Sequence, residues 1–395
     1  MRILHIITRL IVGGAQENTL LTCAGLQARG HEVILLTGPS PGPEGTLMRQ
    51  AETGSYQVIV TPHLVRAPHP WHDWQAYRQI KQLCRDLHPD VVHTHSSKAG
   101  IVGRLAAWPP PPVSPAPPAS GSPLVVHTVH GLAFHPYQNK LVNAAWITLE
   151  RHAARRCHAI ICVADAMTRQ ALAAGIGRPE QYETIYSGMD VHPFTEPKTD
   201  RAAIRQRYGI ANDKVVYATI ARLQPLKGHD DLLSAASSLF EQVPNAHFLW
   251  IGDGKFRARF EQIIKQKGGN DQFTLTGLVP PETVPELLPA ADVVVHPSYR
   301  EGLARALAQG LLAGKPIISY DCDGAAEVCQ TDKTGILVAT GDVAGLAQAM
   351  ITLGQNPALR NEMGQVGRAL CIERFSTHTM VSQIERLYLR VMNQG

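Results

Sequence analysis

Residues 296–327, HPSYREGLARALAQGLLAGKPIISYDCDGAAE, decide the fold. The stretch begins in the apolar strand VVVHPS (293–298) and passes through a polar loop holding Glu301 and Gly302. It then enters a helix from about Ala304, stops at Gly314 and returns to a strand, PIISYD (316–321). Strand, loop, helix and strand in roughly thirty residues make a βαβ unit. Both strands are apolar without alternation, as in a parallel sheet covered on both faces.

The same rhythm extends in both directions. VVYATIA (215–221), HFLWIG (247–252), FTLTG (273–277) and TGILVA (334–339) complete a second set of strands. Before residue 190 come ILHIIT (3–8), EVILLT (32–37), QVIVT (57–61), VVHTH (91–95), LVVHTV (124–129) and AIICV (159–163), with helical periodicity between them. Two α/β domains with parallel sheets follow, over 1–190 and 191–375. A last helix, 376–395, carries Met380, Ile384, Leu387 and Val391 at helical spacing and needs a surface to cover, which the first domain offers.

Composition excludes several classes. The 395 residues are 44% hydrophobic and carry a net charge of +4, so the chain is neither disordered nor a polyanion binder with long Lys/Arg runs. Residues 1–190 hold 16 Lys and Arg against 12 Asp and Glu, and residues 191–395 hold 21 of each. The excess therefore sits in the first domain. Seven scattered cysteines without a C-x-x-C read as reduced thiols of a cytoplasmic protein. No apolar run reaches the roughly 18 residues of a membrane span. Residues 109–123 hold eight prolines and read as an expanded surface loop, with a proline-rich ligand as the alternative.

Several residues could carry chemistry. Gly13-Gly14 stands between the first strand and a helix, where a phosphate or sugar can approach the backbone, or where packing is merely tight. It is not G-x-G-x-x-G, which counts against a nicotinamide enzyme. Arg222 and Lys227 follow the strand at 215–221, on the side where ligands sit in such sheets, and two cations there suit a diphosphate. An ordinary charged loop is the alternative. Glu301 lies at the loop-to-helix junction, with Gln309 about two turns along that helix.

The histidines of the first domain invite a metal reading. His93 and His95 share a strand face, whereas His127 and His130 do not. With no carboxylate or cysteine at metal spacing, no metal site is assigned. Asp321-Cys322-Asp323 reads as a turn rather than a metal motif. Residues 139–156, NKLVNAAWITLERHAARR, form an amphipathic helix with Val142, Trp146, Leu149 and Ala153 on one face. Such a stripe ordinarily faces the core; contact with an anionic membrane leaflet is the other reading.

Taken in order, HTHSSKAGIVGRLAA (93–107), HTVHG (127–131), Arg222 to Lys227, IGDG (251–254), TG (276–277) and the helix led by Glu301 resemble the retaining nucleotide-sugar glycosyltransferases of family 4. The resemblance implies the GT-B architecture, two facing Rossmann-like domains with an interdomain cleft. The first would bind an acceptor and the second a nucleotide sugar. It implies that Arg222 and Lys227 neutralise the donor diphosphate, that Glu301 contacts the donor sugar and that His130 faces its reacting end. Gly13, Gly14, Gly277, Leu278, Gly302, Leu303 and Ala304 would line the donor site. Gln309 stands where the family has the second Glu of E-x7-E, and Ala304 where many members have Pro; both are departures.

The implied reaction is retaining and metal-independent, with no cofactor beyond the donor as co-substrate. It moves a hexose or N-acetylhexosamine, from UDP in preference to GDP, to a hydroxyl acceptor such as a lipid-linked glycan. Cell-surface polysaccharide or glycolipid synthesis, at the cytoplasmic side of a membrane, is the expected setting. A GT-B epimerase or phosphorylase, or a silent scaffold, is the alternative.

Overall fold

The computed structural model describes residues 1–40, 45–108 and 122–393. The proline-rich stretch at 109–123 lies, but for Ser122 and Pro123, outside them. Two compact units result: Met1–Met189 with Thr377–Gly395, and Asp190–Ser376.

In the first unit seven parallel strands lie in the order β3-β2-β1-β4-β5-β6-β7: β1 Arg2–Ile7, β2 Glu32–Thr37, β3 Gln57–Val60, β4 Val91–His95, β5 Leu124–Val129, β6 Ala159–Cys162 and β7 Tyr182–Thr184. The last, Tyr-Glu-Thr, was not foreseen. Three residues without an apolar run give no periodic signal, and pairing to β6 alone makes it an edge strand.

One face of this sheet is covered by the helices Gly14–Ala28 and Thr377–Asn393, which pack on each other and on Ile3, Ile7, Val91 and Val126. Gly25 allows the approach. A Cβ there would lie 2.5 Å from the Val381 side chain. The other face, with Leu4, Ile6 and Val92, packs beneath the helices Pro70–Leu87 and Ser97–Ala107.

The second unit has six parallel strands in the order β10-β9-β8-β11-β12-β13: β8 Val215–Ile220, β9 Ala246–Ile251, β10 Phe273–Leu275, β11 Val293–His296, β12 Ile317–Tyr320 and β13 Gly335–Val338. The helix foreseen from about Ala304 runs Arg305–Leu312, and Gly314 ends the turn after it in the left-handed region.

The helix Lys140–Ala154 departs from the core-facing expectation. Leu141 is 81% exposed, Val142 44% and Leu149 46%, while Ala153 and Glu150 are buried. Its buried side thus holds two alanines and a carboxylate, while Leu141, Val142 and Leu149 face out.

Candidate functional site

Strand order reverses beside β1 in the first sheet and beside β8 in the second. At such switch points neighbouring loops diverge and leave a crevice at the carboxyl ends of the strands. At the second switch point stand the loop after β8, which carries Arg222 and Lys227, and the loop after β11, which carries Glu301. Backbone bonds join the two loops: Tyr299 N donates to Leu226 O at 2.9 Å, and Ser298 Oγ to the same oxygen at 3.0 Å. Gly228 makes the approach feasible, since a Cβ there would sit 2.0 Å from Pro297 O.

Their union brings Lys227 to Glu301, the ammonium bonding directly to carboxylate Oε1. His296, the last residue of β11, donates from Nε2 to the same oxygen at 2.8 Å. Burial opposes the charge of Glu301, but Lys227 and His296 outweigh it and hold the carboxyl well below the usual range. The backbone N–H of Glu301 donates to Asp323 Oδ2 at 2.8 Å. The Asp-Cys-Asp segment is therefore a turn that fixes the Glu301 loop.

Leu226 (φ 64°) and Asp323 (φ 45°) both have left-handed backbones in these loops, a conformation that non-glycine residues hold only when their surroundings enforce it. Arg222 is exposed on the same loop as Lys227. Gly302 is half-buried, Leu303 and Ala304 are buried, and Gln309 is half-buried on the helix beyond. Gly277 pairs with Gly252 across the ends of β10 and β9, and Leu278 beside it is 51% exposed. His296 escaped the sequence reading. Its only signal is a position five residues before Glu301 at a strand end.

The first crevice lies beside Gly13 and Gly14, both half-buried, with Gly13 fully extended (φ 176°) before its helix. Here Ser96, at φ 64°, turns β4 into the helix Ser97–Ala107. Histidines dominate. Register sets His5 beside His93, and His95 lies two residues on along the same face of β4. His95 Nε2 lies 2.9 Å from His5 Nδ1, and His95 Nδ1 lies 3.2 Å from Nε2 of half-buried His130. His93 bonds to Thr128 Oγ1 through Nε2 at 2.7 Å and to Tyr388 through Nδ1. His127 points to the opposite face, bonding Thr94 Oγ1 at 2.9 Å.

The ligand atoms of His5, His93 and His95 all lie within 4.8 Å of one another. Both nitrogens of His93 and of His95 are already hydrogen-bonded, and the group includes no carboxylate to offset a dication. The cluster is a hydrogen-bonded network, made by strand register that no sequence spacing announces. Burial pushes His5 down to about 3 and His93, His95 and His127 well below their ordinary value, so all four are neutral. On the other face a pocket is lined by Ser97, His127, Gly131 and Phe134, and by the buried ion pair Arg104–Glu150 at 2.6 Å.

Residues 12–192 match the family model described as Glycosyltransferase Family 4, and residues 200–370 the model described as Glycosyl transferases group 1. The chain is 25% identical to the Escherichia coli UDP-Gal:alpha-D-GlcNAc-diphosphoundecaprenol alpha-1,3-galactosyltransferase, over 98% of this chain and 97% of that protein. It is 28% identical to the Bacillus anthracis N-acetyl-alpha-D-glucosaminyl L-malate synthase, over 93% and 91%. The Anabaena protein HepE, solved with UDP and glucose, shares the fold with a TM-score of 0.80 at 22% identity, over 98% of this chain and 99% of that one.

Proposed function

Because the chain belongs to glycosyltransferase family 4, with the GT-B fold, we propose that it is a retaining, metal-independent hexosyltransferase using a UDP-sugar. The observation that carries this reading is the cluster of Lys227, Glu301 and His296 at the switch point of the second sheet. A carboxylate kept ionised by two partners is a strong acceptor for sugar hydroxyls. Lys227, with Arg222 on the same loop, supplies positive charge where a diphosphate departs. No side chain of the cluster is set up as a covalent nucleophile. Attack by the acceptor hydroxyl on the face the diphosphate leaves then retains configuration, with a phosphate oxygen taking the acceptor's proton. His130, in the first unit, offers a ring nitrogen to a sugar hydroxyl.

UDP is preferred over GDP because the Escherichia coli relative is named for a UDP donor. That relative's acceptor is a diphosphoundecaprenol-linked sugar, and a lipid-linked glycan is the acceptor class inferred here. The exposed Leu141, Val142 and Leu149, with Lys140, Arg155 and Arg156 on or beside the same helix, suit an anionic bilayer surface. Among the described residues no helix is long and apolar enough to cross a membrane, so contact would be peripheral.

A screen of UDP- and GDP-hexoses against a polyprenyl-diphosphate-linked sugar, reading nucleotide release, tests the reading. UDP-sugar turnover that survives EDTA, with a product of unchanged anomeric configuration, is expected. No nucleotide release and no calorimetric binding of UDP or GDP at millimolar concentration would sink it. Co-sedimentation with phosphatidylglycerol vesicles, but not with phosphatidylcholine alone, is the membrane arm.

A further inference from the structure

We propose that His95 and His5 are positioning residues that fix the tautomer of His130, holding its proton on Nδ1. The functional weight of this inference rests on the role given above to His130; its structural content does not.

The three imidazoles are linked in series, His5 Nδ1 to His95 Nε2 at 2.9 Å and His95 Nδ1 to His130 Nε2 at 3.2 Å. A neutral imidazole has one N–H and one lone pair, so protons along such a chain all run one way. Running inward, they leave His5 Nε2 carrying an N–H. That nitrogen is fully buried and has no hydrogen-bond partner. Running outward, His5 donates to His95 and His95 donates to His130, and His5 Nε2 keeps only a lone pair. An orphaned buried N–H is the rarer and costlier of the two, so the outward arrangement wins. His130 then accepts at Nε2 and carries its own proton on Nδ1.

The rings cannot easily turn to reverse the chain. His95 stacks on His93 with centroids 4.3 Å apart and lies end to end with His130, the two ring planes 23° apart. His93 is itself pinned between Thr128 and Tyr388. The low proton affinity that burial gives His5 and His95 keeps both neutral at physiological pH, as the argument from tautomers requires. Toward a sugar hydroxyl, His130 would act as a hydrogen-bond donor through Nδ1 and not as a proton acceptor.

Two-bond 15N–1H correlation spectra of the full chain read the tautomer directly, with His130 assigned by its loss in His130→Asn. The expected wild-type pattern is protonated Nδ1; protonation on Nε2 overturns the proposal, and this measurement needs no further variant. His95→Phe should move His130 to the Nε2–H form and lower kcat about three- to tenfold with donor KM little changed. His95→Asn, whose amide can donate from near the Nδ1 position, should restore both. A His130 tautomer unchanged in folded His95→Phe also overturns it. If the wild type turns over no donor while His130 still shows Nδ1–H and responds to His95→Phe, the assigned reaction fails and the positioning chain stands.

Discussion

Both units gather their chemistry at the same topological place, but they keep it there by opposite means. At the switch point of the second sheet the group is ionic: Glu301 stays charged because Lys227 and His296 meet it. At the first it is neutral, with imidazoles stripped of their protons by burial and tied head to tail. The difference follows from desolvation. A buried carboxylate survives as a charge only with partners, whereas a histidine sheds its proton and becomes a donor and acceptor in one. One site thus presents fixed charge and the other neutral hydrogen-bonding groups.

Destroying a charge pair in the neutral unit should give the largest effect. Arg104 and Glu150 are buried together beside the His127 pocket, so Glu150→Ala leaves a guanidinium buried without its counter-ion. A loss of about 3–5 kcal/mol is expected in denaturant unfolding. An unchanged midpoint would mean that the helix Lys140–Ala154 relaxes to admit water.

Next in size, Lys227→Ala and Arg222→Ala should each lower kcat about 10²–10³-fold with the fold intact by circular dichroism. Near-normal turnover in either would remove that residue from the proposed role on the diphosphate.

Acid titration sharpens the contrast further. His5, His93, His95, His127 and His158 in the first unit, and His229 and His247 in the second, all have proton affinities lowered by burial. Below about pH 6.5 the unfolded chain binds protons that the folded chain refuses, so stability falls as pH drops, by at most about 1.4 kcal/mol per pH unit for each group. Glu301 acts later: its depressed carboxyl contributes stability above about pH 4.3 that is lost only as pH falls further. Hydrogen exchange at pH 7 and pH 5 should therefore show the first unit weakening more steeply; equal slopes would contradict it.

The smallest effect concerns Gln309, half-buried on the helix after Glu301. Gln309→Glu should tighten donor binding by up to about tenfold in calorimetry, because a charged hydrogen bond replaces a neutral one. Weaker binding would show that the site has adapted to the amide.

Much of this architecture is legible in the sequence. Twelve of the thirteen strands among the described residues are short apolar runs in the sequence, and β7 is not because Tyr182–Thr184 has no such run. Glu301, Arg222 and Lys227 could be placed in loops after strands because that position is a local property. The helix Lys140–Ala154 misled because amphipathicity says that a face is apolar, not what covers it.

The parallel α/β class, the restart near residue 190 and the residue types at the loop ends can be read along the chain, since periodicity and punctuation are local. Which side chains meet depends on the fold. His296 finds Glu301 and His5 finds His95 through backbone turns and strand register, across five and ninety residues of chain. Whether a charge is kept or a proton lost is then set by those neighbours and by the depth of burial, neither of which is written in the spacing of residues.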